Sequence, residues 1–157
     1  MEGVVAVIHR KKRRGEHKGR SRHVRQQFVP LVILPADSRA LPEPHEIEVA
    51  WILARHYNTV VEFLRPIDGY KIRTADMVMN GVIWEVKSPT GKGRTTVKNQ
   101  FKRAAKQATH VVFDARRVQL DEGFVVRLVR QQLEARKAIK VVLLITKAGA
   151  VVEMGPN

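Results

Sequence analysis

The stretch TADMVMNGVIWEVKSPTG, residues 74–91, decides the fold around it. Asn80-Gly81 stands between two apolar runs, and this dipeptide is the strongest short-range signal of a two-residue β-hairpin loop. The loop sets a register in which Asp76 faces Glu85. Alternation along the two strands then predicts two faces. The core face consists of Met77, Met79, Val82, Trp84 and Val86, and the opposite face of Asp76, Val78, Ile83, Glu85 and Lys87.

The opposite face carries two carboxylates. Asp76 and Glu85 are predicted to be direct cross-strand neighbours, with Cβ atoms about 5 Å apart. Like charges at this distance repel, and partial burial strengthens the repulsion. Lys87 can offset one charge, whereas a divalent cation bridging both carboxylates offsets more, and hard oxygen ligands suit Mg²⁺ or Mn²⁺. The alternative is an acid pair on a solvated sheet face, neutralised by Lys87.

A glycine-rich basic loop, SPTGKGRTT at residues 88–96, follows the hairpin and opens into an amphipathic basic helix. Helix N–H groups and cationic side chains would therefore lie beside the acids and attract phosphate. Together these features indicate a site that cleaves phosphodiesters, in which Lys87 positions or deprotonates a water or stabilises transition-state charge. The cations placed to contact phosphate are Lys92, Arg94, Lys98, Lys102 and Lys106. The alternative for them is a solvated helix face.

The net charge of +14, from 29 Lys and Arg against 15 Asp and Glu, predicts a polyanionic partner. Residues 1–27 carry half of this charge without helical or strand periodicity. The absence of cysteine excludes disulfides and argues against a structural zinc site. No apolar run approaches the ~18 residues of a transmembrane helix. We therefore expect no membrane insertion and a cytoplasmic site of action.

The length fits one domain. Three prolines in PADSRALPEP, residues 35–44, indicate a linker. The predicted organisation is a flexible basic arm at residues 1–35 and a folded domain at residues 36–157; FVPLVIL, residues 28–34, is read as a strand or a docking segment. Hydrophobic periodicity predicts a helix at 43–58, three strands, a helix at 95–109, a strand at 110–115, a helix at 121–137 and further strands. This order predicts an α+β fold with a mixed sheet and flanking helices.

Asp76 followed by Glu85-Val86-Lys87 resembles the D-x(n)-E-x-K signature of the PD-(D/E)XK nuclease superfamily, and the element order resembles its restriction-endonuclease-like core. The strings HEIEVAWILA and TADMVMNGVIWEVKSPTGKGRTTVKNQFKRAAKQATHVVFDARR are similar to the C-terminal tRNA-nuclease domain of CdiA-type contact-dependent inhibition toxins. The resemblance covers residues 43–147 and leaves the basic arm unexplained. Ala75 departs from the pattern, since the family often has proline there.

The resemblance implies that Asp76 and Glu85 bind Mg²⁺ or Mn²⁺ and that Lys87 is catalytic. It also implies that Glu46, in the first helix, reaches into the metal site. Glu48 competes for this role, but the His-Glu pair at 45–46 fits the family pattern better. On local grounds Glu46 could equally be a first-turn acid favoured by the helix dipole.

Thr95 and Gln107 match polar positions of the helix after the motif, which the resemblance places towards substrate. The implied function is a metal-dependent endonuclease of tRNA or RNA, with a cognate immunity protein as partner. The alternatives are a DNA endonuclease of a mobile element or repair system and a nucleic-acid-binding module that does not cut. A pure phosphate binder gains nothing from carboxylates facing its groove, which favours catalysis. An anionic-membrane adaptor rests on the basic arm alone.

Overall fold

The Asn80-Gly81 turn joins two strands, β3 (Met77–Met79) and β4 (Val82–Lys87). Both turn residues have positive φ, 52° at Asn80 and 74° at Gly81, as a type I′ turn requires. The paired residues are Met79 and Val82, Val78 and Ile83, and Met77 and Trp84, so the predicted register is confirmed.

The hairpin belongs to a computed structural model that describes residues 29–36, 41–64 and 75–156. The other elements are β1 (Leu31–Ile33), α1 (Pro44–Tyr57), β2 (Val60–Phe63), α2 (Arg94–Ala104), β5 (His110–Asp114), α3 (Glu122–Ala135), β6 (Val141–Ile145) and β7 (Val151–Met154). Most of the predicted basic arm, residues 37–40 of the predicted linker and the segment at residues 65–74 before the hairpin lie outside the described residues.

The seven strands of the described part form one mixed sheet in chain order, from β1 to β7. The pairs β1–β2, β4–β5 and β5–β6 are parallel, and the remaining neighbours are antiparallel. Strands β1, β2, β4, β5 and β6 therefore point the same way, and their carboxyl ends share one edge, here called the carboxyl edge. Strand β3 begins at this edge, and the three helices begin there too, because each follows a strand that ends there.

Two apolar cores lie on opposite faces of the sheet. Helix α1 packs with the hairpin's core face, where Met77, Met79, Trp84 and Val86 are buried as predicted. Helices α2 and α3 pack on the other face, against Val111, Phe113 and other residues of β5 and β6. The predicted α+β class with a mixed sheet between helices is thus confirmed within the described residues.

Helix α2 is shorter than predicted. Its periodicity suggested residues 95–109, but the helix ends at Ala104. The N–H of Gln107 donates to the carbonyl of Ala104 at 2.8 Å, a bond that tightens the chain into a turn. The turn is needed because β5 starts at His110, three residues after Gln107, and pairs with β4. Gln107 consequently lies after the helix, not on it.

Strand β1 lies on the N-terminal side of the predicted domain boundary at residues 35 and 36. It is parallel to β2, with Leu31 opposite Val60 and Ile33 opposite Glu62. The segment FVPLVIL, for which a strand and a docking role were both considered, therefore contributes a strand to the sheet edge. The boundary of the basic arm itself stays a prediction.

We predict that Gly81→Ala destabilises the fold by about 1–2 kcal/mol, because a left-handed conformation is strained for residues with a Cβ. No neighbouring atom lies within 4 Å of the added Cβ, so the loss isolates the strain. Gly155→Ala is the matched control, since it also points into open space but has no positive φ. Urea unfolding of both variants measures the difference, and equal stability would contradict the turn assignment.

Candidate active site

Asp76 lies at the carboxyl edge, directly before β3. Its N–H donates to the carbonyl of Trp84 at 3.1 Å and its carbonyl accepts from the Leu64 N–H at 2.9 Å. The N–H bond departs by one residue from the hairpin register, which pairs Trp84 with Met77. This departure is a local bulge, a feature that re-aims side chains at sheet edges. The carboxylate Oδ2 accepts from the Val86 N–H at 2.6 Å. Main-chain groups of β4 and of Leu64, directly after β2, therefore hold Asp76 in place.

Glu85 is the most deeply buried acid of the predicted site, with 1% of its surface exposed. It pairs with Val111 in the neighbouring strand, which places it on the α2–α3 face of the sheet. Its Oε1 accepts a hydrogen bond from Lys87 Nζ. Its Oε2 is buried without a hydrogen-bond partner among the described residues. The alternative of a solvated acid pair therefore fails for Glu85, although Lys87 does neutralise part of its charge.

The two carboxylates affect each other unequally, since the Asp76 charge raises the proton affinity of Glu85 whereas a side-chain interaction with Glu85 lowers that of Asp76. Burial, and then repulsion by Asp76, raise the pKa of Glu85 to about 7, although Lys87 opposes the shift. Burial also raises the pKa of Asp76, against the lowering effect of the Val86 N–H, and the charge of Glu46 raises it further. The fold thus holds an acid pair that needs a proton or another positive charge to be stable.

The structure separates Glu46 from its competitor Glu48. The charge of Glu46 acts on both Asp76 and Glu85, so its carboxylate lies on their side of α1. Its Oε2 accepts from the Glu43 N–H at 2.9 Å, a first-turn capping contact. Glu48 instead forms an ion pair with Arg116, at 3.2 Å from Nη1 to Oε2. Glu46 is therefore a helix-capping acid whose charge reaches the pair, and its role as a metal ligand stays a prediction.

The acid pair fits a divalent cation through two carboxylates. The unpartnered Oε2 of Glu85 has the chemistry of a hard oxygen ligand, and Asp76 supplies a second carboxylate. No group of three or more His, Asp or Glu side chains in the described ranges is assembled closely enough to hold a metal ion alone. Asp76 and Glu85 would hold the ion, and Glu46 stays a predicted third ligand.

A cluster that the sequence did not reveal lies at the carboxyl edge, on the α1 face of the sheet. Asp114, at the end of β5, is fully buried. Its two carboxylate oxygens accept from Nε and Nη2 of Arg116, both at 2.9 Å, and Oδ2 also accepts from Ser88 Oγ at 3.0 Å. Through Glu48, Arg116 ties α1 to the ends of β4 and β5. Only the acid at the end of an apolar strand, in HVVFDARR, hinted at this cluster.

The start of α2 lies at the same edge. Its N-cap is Gly93, which offers no side-chain acceptor to the first helical N–H groups. Gly91 packs so closely on Thr96 that an added Cβ would lie 2.6 Å from its Oγ1, so a larger residue there would displace the Thr96 side chain. Because no side chain caps the helix, its first N–H groups can bind an anion.

The predicted substrate-binding residues do not all face one way. Lys92, Thr95, Lys98, Lys102 and Lys106 are exposed along the loop, α2 and the turn after it. Arg94 points to α3, with its guanidinium carbon 4.8 Å from the Phe124 ring centre. The Lys98 carbonyl also contacts α3, through Nη2 of Arg136 at 3.5 Å. Gln107 lies in the turn at the end of α2 that leads into β5.

Comparison with known proteins identifies the class of this α+β domain. Residues 73–151 match the family of contact-dependent growth inhibition CdiA C-terminal domains. The match includes the hairpin, the acid pair and the strands from β3 to the first residue of β7, and it spans half of the chain. The chain therefore belongs to this family.

One solved structure shares the fold. The CdiA-CT/CdiI toxin and immunity complex from Burkholderia pseudomallei contains a similar chain, with a TM-score of 0.58 and 16% sequence identity. The alignment covers 80% of this chain and 99% of that chain. No curated protein matches the sequence. Among the described helices, none has the length and apolar character to cross a membrane.

We predict that Glu85→Gln gains stability relative to the wild type as pH rises. Folding raises the pKa of Glu85 from 4.5 to about 7, so the wild type binds an extra proton in this window and loses stability as pH rises through it. The variant, which cannot ionise there, should be more stable by on the order of 2 kcal/mol at pH 8 and nearly equal at pH 4.5. Urea unfolding in EDTA measures this. Exposed Glu153→Gln is the control, and a pH-independent difference would contradict the assignment.

We predict that Arg116→Met costs about 3 kcal/mol of stability, because it leaves the buried Asp114 carboxylate without its cation. Arg117→Met is the matched control, since Arg117 is adjacent and exposed, and such substitutions usually change stability by less than about 0.5 kcal/mol. Thermal and urea unfolding compare the two. Equal losses would show that the Asp114–Arg116 pair does not hold the edge together.

Proposed function

We propose that this chain is a metal-dependent nuclease that hydrolyses phosphodiester bonds of nucleic acid. The observation that carries the proposal is the buried Glu85, which has an unpartnered oxygen beside Asp76 and a bonded Lys87. A stable domain gains nothing from two acids placed together at the end of a hairpin. A metal site gains charge and oxygen ligands from the same arrangement.

The chain's own residues divide the work. Asp76 and Glu85 would hold Mg²⁺ or Mn²⁺, with Glu46 as the predicted third carboxylate. When bound, such an ion supplies charge to the scissile phosphate and lowers the pKa of a water. The Lys87 ammonium donates a hydrogen bond to Glu85 and so lies beside the carboxylates that would hold the ion. There it can orient a water or stabilise the charge that develops on phosphate. The basic loop and the start of α2 would bind phosphates of the substrate.

Membership in the PD-(D/E)XK superfamily, with a restriction-endonuclease-like core, belongs to this proposal. The order of α1, the strands β2, β3 and β4, α2 and β5 supports it, as do the positions of Asp76, Glu85 and Lys87 around the hairpin. The additional strands β1, β6 and β7 extend the sheet on both sides.

The family favours tRNA or another RNA as the substrate, and a toxin role inside a target cell's cytoplasm. We propose a cognate immunity protein as a partner, since the structural relative was solved as a toxin and immunity complex. DNA cleavage is the second candidate, because no described feature distinguishes a 2′-hydroxyl. A non-cutting binder is the third, supported by the charge of +14.

We predict that the wild type cleaves nucleic acid with Mg²⁺ or Mn²⁺ but not in EDTA, and that Glu85→Gln and Lys87→Ala each lose at least about 100-fold in rate. A panel of tRNA, single-stranded DNA and duplex DNA measures rate and preference. Glu153→Gln and Lys140→Ala are matched controls at exposed positions away from the carboxyl edge. Metal should also raise the melting temperature of the wild type more than that of Glu85→Gln.

The same panel separates the candidate functions. Preferred cleavage of tRNA supports the RNA nuclease, and preferred cleavage of duplex DNA supports the second candidate. Absence of cleavage by folded wild type with either metal, together with intact binding in all variants, would overturn the nuclease and leave the binder.

A further inference from the structure

Two arginines from different helices meet on one aromatic ring. The guanidinium carbon of Arg94, at the start of α2, lies 4.8 Å from the ring centre of Phe124. That of Arg127, one turn further along α3, lies 5.6 Å from the same centre. An arginine stacked on an aromatic face keeps its in-plane N–H donors free for a planar, doubly bonded partner. We call Arg94, Arg127 and Phe124 the guanidinium fork.

The fork borders an open groove of about 410 Å³ that runs along α3, with Arg94 contributed by α2. Arg130 and Gln131 continue its wall along α3, and Glu134 is the acidic member of the lining. Arg94 and Phe124 both belong to the first turns of their helices, which begin at the carboxyl edge. The groove therefore starts at the edge that carries the acid pair, on the same face of the sheet as Glu85.

The acids near the start of α3 are already occupied by main-chain donors. Asp121 caps the helix, accepting from the Phe124 N–H at 3.0 Å. Glu122 accepts from the Lys147 N–H at 2.8 Å. Helix α2 contributes no acid at all, since its sequence is RTTVKNQFKRA. In the lining of the groove three arginines, Arg94, Arg127 and Arg130, stand against one acid, Glu134, so the lining carries a net positive charge.

We propose that the guanidinium fork binds a backbone phosphate of the nucleic-acid substrate, next to the phosphate that is cut. This inference rests on the proposed function for the identity of the ligand. Two guanidiniums held on one ring offer preorganised donors to phosphate oxygens. The predicted substrate surface on α2 therefore extends across the groove to Arg127 and Arg130 of α3, neither of which the sequence pattern singled out.

The test measures binding, and it needs no cleavage. Fluorescently labelled bulk tRNA is titrated with protein in EDTA, and fluorescence anisotropy is recorded at several salt concentrations. The variants are Arg94→Gln, Arg127→Gln and Phe124→Leu. Arg55→Gln is the matched control, because Arg55 also stacks on an aromatic ring, 5.5 Å from the centre of the Trp51 ring, but on α1 across the sheet.

We expect Arg94→Gln and Arg127→Gln each to weaken binding about 3- to 10-fold and to reduce the salt slope by about 0.7–0.9, the loss of one phosphate contact. Phe124→Leu should weaken binding about 2- to 3-fold without removing a charge, because the ring no longer holds the guanidiniums. Arg55→Gln should change neither quantity by as much. Melting curves establish that each variant is folded.

Three results would overturn the proposal. One is a loss of affinity in Arg94→Gln and Arg127→Gln no larger than in Arg55→Gln. Another is full affinity in Phe124→Leu. The last is weaker binding of polyglutamate by both arginine variants than by the wild type, with tRNA affinity unchanged, which would assign the groove to an acidic protein surface. A chain that binds through the fork but cuts nothing would support this inference and refute only the nuclease.

Discussion

The repulsion between Asp76 and Glu85 is the constraint around which the site is built. Glu85 is 1% exposed and shares its surroundings with a second carboxylate, so its pKa rises to about 7. Lys87 bonds only one of its oxygens, which leaves the other buried and unpartnered. A fold selected for stability alone would replace such a pair by apolar residues, since buried charges are costly even when paired. The two carboxylates lie together at a position where a bound cation would neutralise their charge.

The topology explains why so many charged groups meet at one edge. Five strands end there, and each helix begins there after a strand has ended, so acids at strand ends face the positive ends of helices. Asp114 is the last residue of β5, the strand next to β4, but Arg116 and Ser88 satisfy its oxygens. The contrast between Asp114, which is saturated, and Glu85, which is not, distinguishes a structural acid from a candidate ligand.

The hairpin could be predicted because Asn80-Gly81 encodes its own geometry and because a period of two assigns every neighbour to a face. The pair of Asp76 and Glu85 followed from that register, although the bulge at Asp76 did not. Contacts between distant segments carried no such local signal. The Arg116 bond to Glu48 and the contact of Arg94 with Phe124 depend on how helices pack, and α2 ends early because β5 must start beside β4.

Arg94 and Lys87 differ as cations in their surroundings and in the geometry of their donors. Lys87 has one compact charge, half-buried and bonded to an acid that itself needs neutralising, which suits a group acting on the reacting phosphate. Arg94 is exposed and stacked on a ring, with a planar set of donors that suits recognition over chemistry. A helix face rich in lysine could attract any polyanion. Lys87 lies beside the acid pair, and Arg94 lies on the Phe124 ring at the same sheet edge. The substrate backbone would therefore run from the scissile phosphate near Lys87 towards a second phosphate bound by Arg94.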